Sequence, residues 1–115
     1  MKRIIIITTI IICMAAIPSA CNANKAIIPD YHSAQEYEQA LEEGVDTVGH
    51  SVTFTVNDVI PNSFFGYNLT AGDHLNFVSD ANPKAQAGDT LTVRIKNVRN
   101  VFGSWIVSNE MISRN

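Results

Sequence analysis

Few side chains in this chain can do chemistry, and their spacing narrows the options further. Three histidines, His32, His50 and His74, are natural metal ligands. Their intervals match no zinc signature and no cysteine lies among them, so they read as scattered surface residues. Glu36, Glu38, Glu42 and Glu43 fall close together. With no acid–base partner nearby, they read as the solvated face of a helix rather than a catalytic pair. Asp46, Asp58 and Asp73 sit beside turns, where aspartate is expected for its backbone hydrogen bonds. A glycine-rich phosphate loop, a Gly-x-Ser-x-Gly elbow and a recognisable Ser/His/Asp set are all missing from the sequence. The expectation is a protein that is not an enzyme and uses neither cofactor nor metal. What remains is non-covalent chemistry. Phe64, Phe65 and Tyr67 can stack on a ring, and Arg94, Lys96 and Arg99 can meet an anion.

The elements that must position these residues follow from periodicity. Ser33 with Glu36 three residues on is a capping box. Ala34, Tyr37, Ala40 and Leu41 then recur at helical spacing until Gly44, which predicts one short helix. From His50 the period changes to two. Val52, Phe54 and Val56 alternate with polar residues, predicting a half-buried strand that bends at Asp58–Ile60 and ends at Pro61-Asn62-Ser63. After a loop, a second strand over Phe64–Thr70 and a third over His74–Ser79 flank the turn Ala71-Gly72-Asp73, as a hairpin. Asp80–Asp89 reads as a loop. Thr90–Val98 is the cleanest strand, with Leu91, Val93 and Ile95 on one face. A turn at 101–104 leads to a last strand, with Trp105 and Val107 inward. Five antiparallel strands after one helix, the first of them bent, predict a mostly β domain closed into a small barrel, since closure removes exposed edges.

The N-terminus predicts the address. Met1-Lys2-Arg3 is cationic, Ile4–Ile17 is an apolar run broken by Thr8 and Thr9, and small residues lead to Cys21. That order is a secretory signal, and the run is too short to span a bilayer. Ser19-Ala20-Cys21 resembles the lipobox of bacterial lipoproteins, which implies cleavage before Cys21 and a lipid on its sulfur. The alternative is an ordinary signal cut after Ala20 or Ala23, releasing a soluble secreted protein. Residues 1–20 are thus expected as a signal peptide, 21–31 as anchor cysteine and tether, and 32–115 as the domain. Removing twenty of the 115 residues takes eight basic residues to six against eleven acidic ones, a net charge of −5. A phosphate backbone is a disfavoured partner for so acidic a domain. Cys13 lies in the signal and Cys21 at its boundary, so the domain contains no disulfide and relies on its apolar core.

The leading helix followed by GHSVTFTVNDV, SFFGYNLTAGDHLNFVSD, AGDTLTVRIKNV and GSWIVSNEMI resembles the small OB-fold lipoproteins of bacteria, described as tRNA-anticodon-like or nucleic-acid-binding-like. The likeness covers residues 33–112. It implies a five-stranded OB-like barrel whose binding face lies on the second and third strands and the adjoining loops. Here that face would hold Phe64, Phe65, Tyr67, Asn68, His74 and Asn76, with Arg94, Lys96 and Arg99 on the fourth strand. Two functions follow. One is an extracytoplasmic binding module, held to the cell membrane through Cys21, for an oligosaccharide, a peptide or a nucleic-acid fragment. The other is an envelope subunit docking on another envelope protein. Asn68-Leu69-Thr70 matches a glycosylation acceptor but falls inside a strand.

Overall fold

A computed structural model describes residues 28–114. The expected signal peptide, Cys21 and most of the expected tether lie outside the described residues. The predicted helix forms as α1, Ala34–Glu42. The Ser33 hydroxyl accepts the Glu36 amide at 3.1 Å, while a Glu36 carboxylate oxygen accepts the His32 amide at 2.8 Å. The capping box is therefore made one residue wider than its usual form. Gly44 ends the helix in a left-handed conformation, φ 83°. Ala34, Tyr37, Ala40 and Leu41 are buried as their spacing requires. No described helix is long and apolar enough to cross a membrane.

Six strands follow: β1 Ser51–Thr55, β2 Asp58–Ser63, β3 Gly66–Ala71, β4 Leu75–Ser79, β5 Thr90–Val101 and β6 Ser104–Arg114. They form one mixed sheet in the order β1-β5-β6-β4-β3-β2. The mostly β class expected from the sequence is correct. Two finer expectations are not. There are six strands rather than five, and no ladder pairs β1 with β2 to close the sheet into a barrel. The reason is local. The expected bent strand breaks at Val56-Asn57, where the Val56 amide donates to Asp89 and the Asn57 amide to Thr70. Consecutive residues thus serve opposite ends of the sheet order, β5 on one side and β3 on the other. The segment expected as a strand end and loop, Pro61-Asn62-Ser63, continues as β2. Proline is tolerated there because β2 is an edge strand and its missing N–H breaks no ladder. Nor is every pair antiparallel, since β4 and β6 run parallel.

The sheet curls strongly. Phe54 on β1 stacks on Phe77 of β4, with centroids 3.9 Å apart and planes at 4°, although β5 and β6 lie between those strands. Tyr37 of α1 packs 6.1 Å from Phe77, so the helix caps the core that the curl encloses. Leu69, Leu75, Leu91, Val93, Ile95 and Val107 complete it. The Tyr37 hydroxyl bonds the Thr47 hydroxyl at 3.1 Å, which satisfies both groups in the interior. Burial pushes the Tyr37 phenol up to about 12. Val107 is inward as expected, whereas Trp105 is half-buried against the core margin.

Phe102 and Gly103 join β5 to β6 with φ of 53° and 87°. Two left-handed residues make a type I′ turn, which favours Asn-Gly and disfavours a bulky residue at the first position. Phe102 is also fully exposed, so it gains no burial in return. Phe102→Asn is expected to stabilise the domain by about 1 kcal/mol, read as a higher urea midpoint at unchanged slope. An unchanged or lower midpoint would mean that Phe102 makes a stabilising contact.

Candidate functional site

The β2–β3 hairpin turns through Phe64 and Phe65. Gly66 follows with φ 94°, and a Cβ there would lie 2.7 Å from the Ser79 carbonyl oxygen. Only glycine permits that approach, and it holds the hairpin tip close to the end of β4. Phe64 is 95 % exposed and sits edge-on to Phe65, 5.3 Å between centroids. The Arg99 guanidinium lies over the Phe65 ring at 5.6 Å, a cation–π contact. Phe65 belongs to the β2–β3 tip and Arg99 to β5, with β4 and β6 between them in the sheet. The pair therefore reaches across two strands.

Beneath this contact is an open cleft of about 470 Å3. Its lining includes Val78 and Ser108, which are cross-strand partners on β4 and β6. Ser79, Asp80, Ala81, Asn109 and Lys96 complete it. The Asn109 side-chain amide donates to the carbonyls of Val78 and Val107, which leaves its oxygen to accept. The three ion pairs among the described residues all involve histidine. Lys96 and Arg99 thus have no carboxylate partner there. A ring over a cation beside a second unpaired cation can bind an anion that carries a flat or apolar surface.

The structure brings some of the expected residues together and separates others. Phe65 and Lys96 line the cleft with Arg99, and Phe64 stands edge-on to Phe65 outside that lining. Tyr67 does not join them: it shares the face of Leu69 and Ala71 on β3, the core side. Asn76 is engaged elsewhere, accepting from the Asn68 amide at 3.0 Å and donating to the Trp105 carbonyl at 3.2 Å. Asn68 itself is only 7 % exposed, which makes it unsuited to carry a glycan. Arg94 donates to the Gly49 carbonyl at 3.2 Å and does not line the cleft. Val78, Ser79, Asp80, Ser108 and Asn109 were not anticipated, because only the parallel β4–β6 pairing places them side by side.

His74 belongs to a second cluster. Its Nδ1 bonds Glu38 Oε2 at 2.9 Å, and Glu38 Oε1 accepts the amides of Asp73 and His74 at 3.0 and 3.3 Å. Glu38 is 7 % exposed, so its expected place on a solvated helix face is corrected. It ties α1 to the β3–β4 turn. Burial pushes its carboxyl up, but the hydrogen bonds from His74 and the two amides outweigh that and hold it below the usual range. The bond to Glu38 in turn holds the His74 imidazolium above its ordinary range. Glu42 lies close enough that Glu38, Glu42 and His74 offer ligand atoms within 4.8 Å of one another. The Glu38 oxygens are already committed to the turn.

No protein-family model, curated protein or solved structure matches the chain.

Proposed function

We propose that this chain is a non-enzymatic binding module of the bacterial cell envelope, exported and held at the membrane by a lipid on Cys21. The observation that carries the binding reading is the Phe65–Arg99 contact reaching over β4 and β6. It frames a cleft with a second cation, Lys96. The anchoring reading rests on the order of charged start, apolar run and small residues before Cys21.

The order of the strands supports the same reading. If β1 and β2 are taken as halves of one bent strand, the sheet order runs from that strand through β5, β6, β4 and β3 and back to it. One pair, β4–β6, is parallel. We read that order as an opened form of the five-stranded Greek-key barrel, a fold that binds ligands on its second and third strands and the adjoining loops. Two features depart from that plan. The helix precedes the first strand, and the segment between β4 and β5, where such barrels usually carry one, contains none.

Phe65→Ala and Arg99→Gln are each expected to weaken binding at the cleft at least about tenfold. Calorimetry against cell-wall glycans, peptides and single-stranded DNA is the measurement. Unchanged affinity in both variants would place the site elsewhere. In cells, Cys21→Ser is expected to move the protein from the membrane fraction to the soluble extracytoplasmic fraction; retention in the membrane would remove the lipid from the account.

A second reading, docking on another envelope protein, is favoured by one feature. Phe102 is fully exposed on a strained turn and is not among the residues that line the cleft. Exposed aromatics at such sites are candidates for burial by a partner. Phe102→Ser abolishing co-purification of an envelope protein, with cleft binding intact, would support it.

A further inference from the structure

We propose that the cleft framed by Phe65 and Arg99 takes an acidic oligosaccharide, a short glycan bearing a uronate carboxylate. This rests on the binding-module reading above and names its ligand class. Two observations favour an anion. The Arg99 guanidinium lies over the Phe65 ring, 5.6 Å from its centroid, and its N–H groups can fork onto a carboxylate. Lys96 stands on the same rim, and neither cation has an acidic partner among the described residues. None of the described lysines and arginines is in an ion pair, but Lys96 and Arg99 stand together in one cleft, and that pairing of cations is where an external negative charge fits.

The rest of the lining separates an acidic sugar from a nucleic acid. Asp80 lies on the rim and the Asn109 side-chain oxygen is left to accept, because its amide nitrogen is held by two backbone carbonyls. Acceptors so placed suit hydroxyl donors, which sugars carry all round the ring. A phosphodiester backbone offers none at its charged oxygens. A run of nucleotides would also meet the net negative charge of the whole domain beyond the two cations. Arg99 lies over the Phe65 ring, whereas Phe64, edge-on to Phe65 and outside the lining, is almost wholly exposed and offers an apolar surface to the C–H face of a sugar ring that extends beyond the cleft. The volume, about 470 Å3, falls within the range of small-ligand sites, about 300–1,000 Å3.

The test is a 15N NMR titration of the full chain in a polyoxyethylene detergent, which has no sugar headgroup to compete. Three probes are added in turn: a digalacturonate, the neutral disaccharide cellobiose, and a single-stranded oligo-dT. The expected result is saturable, salt-weakened shifts of the Phe65, Lys96, Ser108 and Asn109 amides with digalacturonate, and much smaller ones with cellobiose. Arg99→Gln should weaken the digalacturonate affinity at least about tenfold while leaving core amides such as Phe77 and Val93 in place. Equal binding of cellobiose would overturn the requirement for an anion. Shifts of the same amides by oligo-dT but not by digalacturonate would overturn the glycan and leave the binding site standing. No shift with any probe would overturn the ligand class and the cleft together.

Discussion

Phe77→Ala is expected to destabilise the domain by about 3–5 kcal/mol, the range for truncating a fully buried phenylalanine. Phe77 is 1 % exposed, stacks on Phe54 at 3.9 Å and packs against Tyr37. Its ring is where β1, β4 and α1 meet, so alanine leaves a cavity whose walls come from three elements held by their own ladders. Such a site relaxes poorly, which puts the cost towards the upper end. A small domain has only about 5–15 kcal/mol of stability in all, so the variant should sit near the threshold of folding. Phe64→Ala is the contrast, within about 0.5 kcal/mol of wild type because that ring is already in water. Urea unfolding followed by the fluorescence of Trp105 measures both. A cost for Phe77→Ala below about 1 kcal/mol, smaller than any cavity-forming substitution of this kind, would show that the sheet does not curl far enough to stack β4 on β1.

Glu38→Ala is expected to cost about 2–4 kcal/mol. The carboxylate accepts two backbone amides and the His74 ring, and removing it leaves those donors without the acceptor they were folded around. Gly72 packs against the same oxygen, and a Cβ there would come within 2.7 Å of Glu38 Oε1. The turn has thus been shaped to the side chain and cannot easily close over the gap. Glu38→Gln keeps the shape and one acceptor but loses the charge, so it should fall between wild type and alanine. If both variants unfold at the wild-type urea midpoint, α1 is not tied to the β3–β4 turn through this residue.

The same pair sets a pH dependence. The Glu38 pKa is lowered on folding, so its contribution is present above about 4.5, the ordinary value, and is lost as pH falls through the folded value. The His74 pKa is raised, so its contribution is complete below about 6.5 and is lost as pH rises through the folded value. Stability from the pair should therefore peak between about pH 4.5 and 6.5. Asp73 and Glu42 add to the pull on the His74 proton. His74→Ala should flatten the neutral side of the thermal-midpoint curve and leave a decline on the acid side. Parallel curves for the two proteins through neutral pH would remove His74 from this account.

Arg99 illustrates what sequence reading reaches. Leu91, Val93 and Ile95 are buried, as strict alternation requires. Carried on, that alternation would turn Arg99 toward the core. A register shift between Ile95 and Asn97 adds one residue to β5 and exchanges the faces beyond it, so Val98 packs on the core while Arg99 swings out over Phe65. One extra residue inverts every later side chain, and the periodicity of the strand does not reveal it.

By itself the sequence determined what depends on near neighbours: the helix and its cap at Ser33, the alternating strands, the hairpin at Gly72 and the mostly β class. Each follows from backbone geometry acting over a few residues. Only the tertiary structure decided the rest. It broke the first strand at Val56-Asn57, because those amides answer to β5 and β3. It buried Glu38, because the β3–β4 turn supplies donors from 35 residues away. It set Val78 beside Ser108 by parallel pairing and brought Phe65 under Arg99. These are contacts between segments distant in the chain. They are settled by which surfaces can be buried together, a property of the whole fold rather than of any stretch of it.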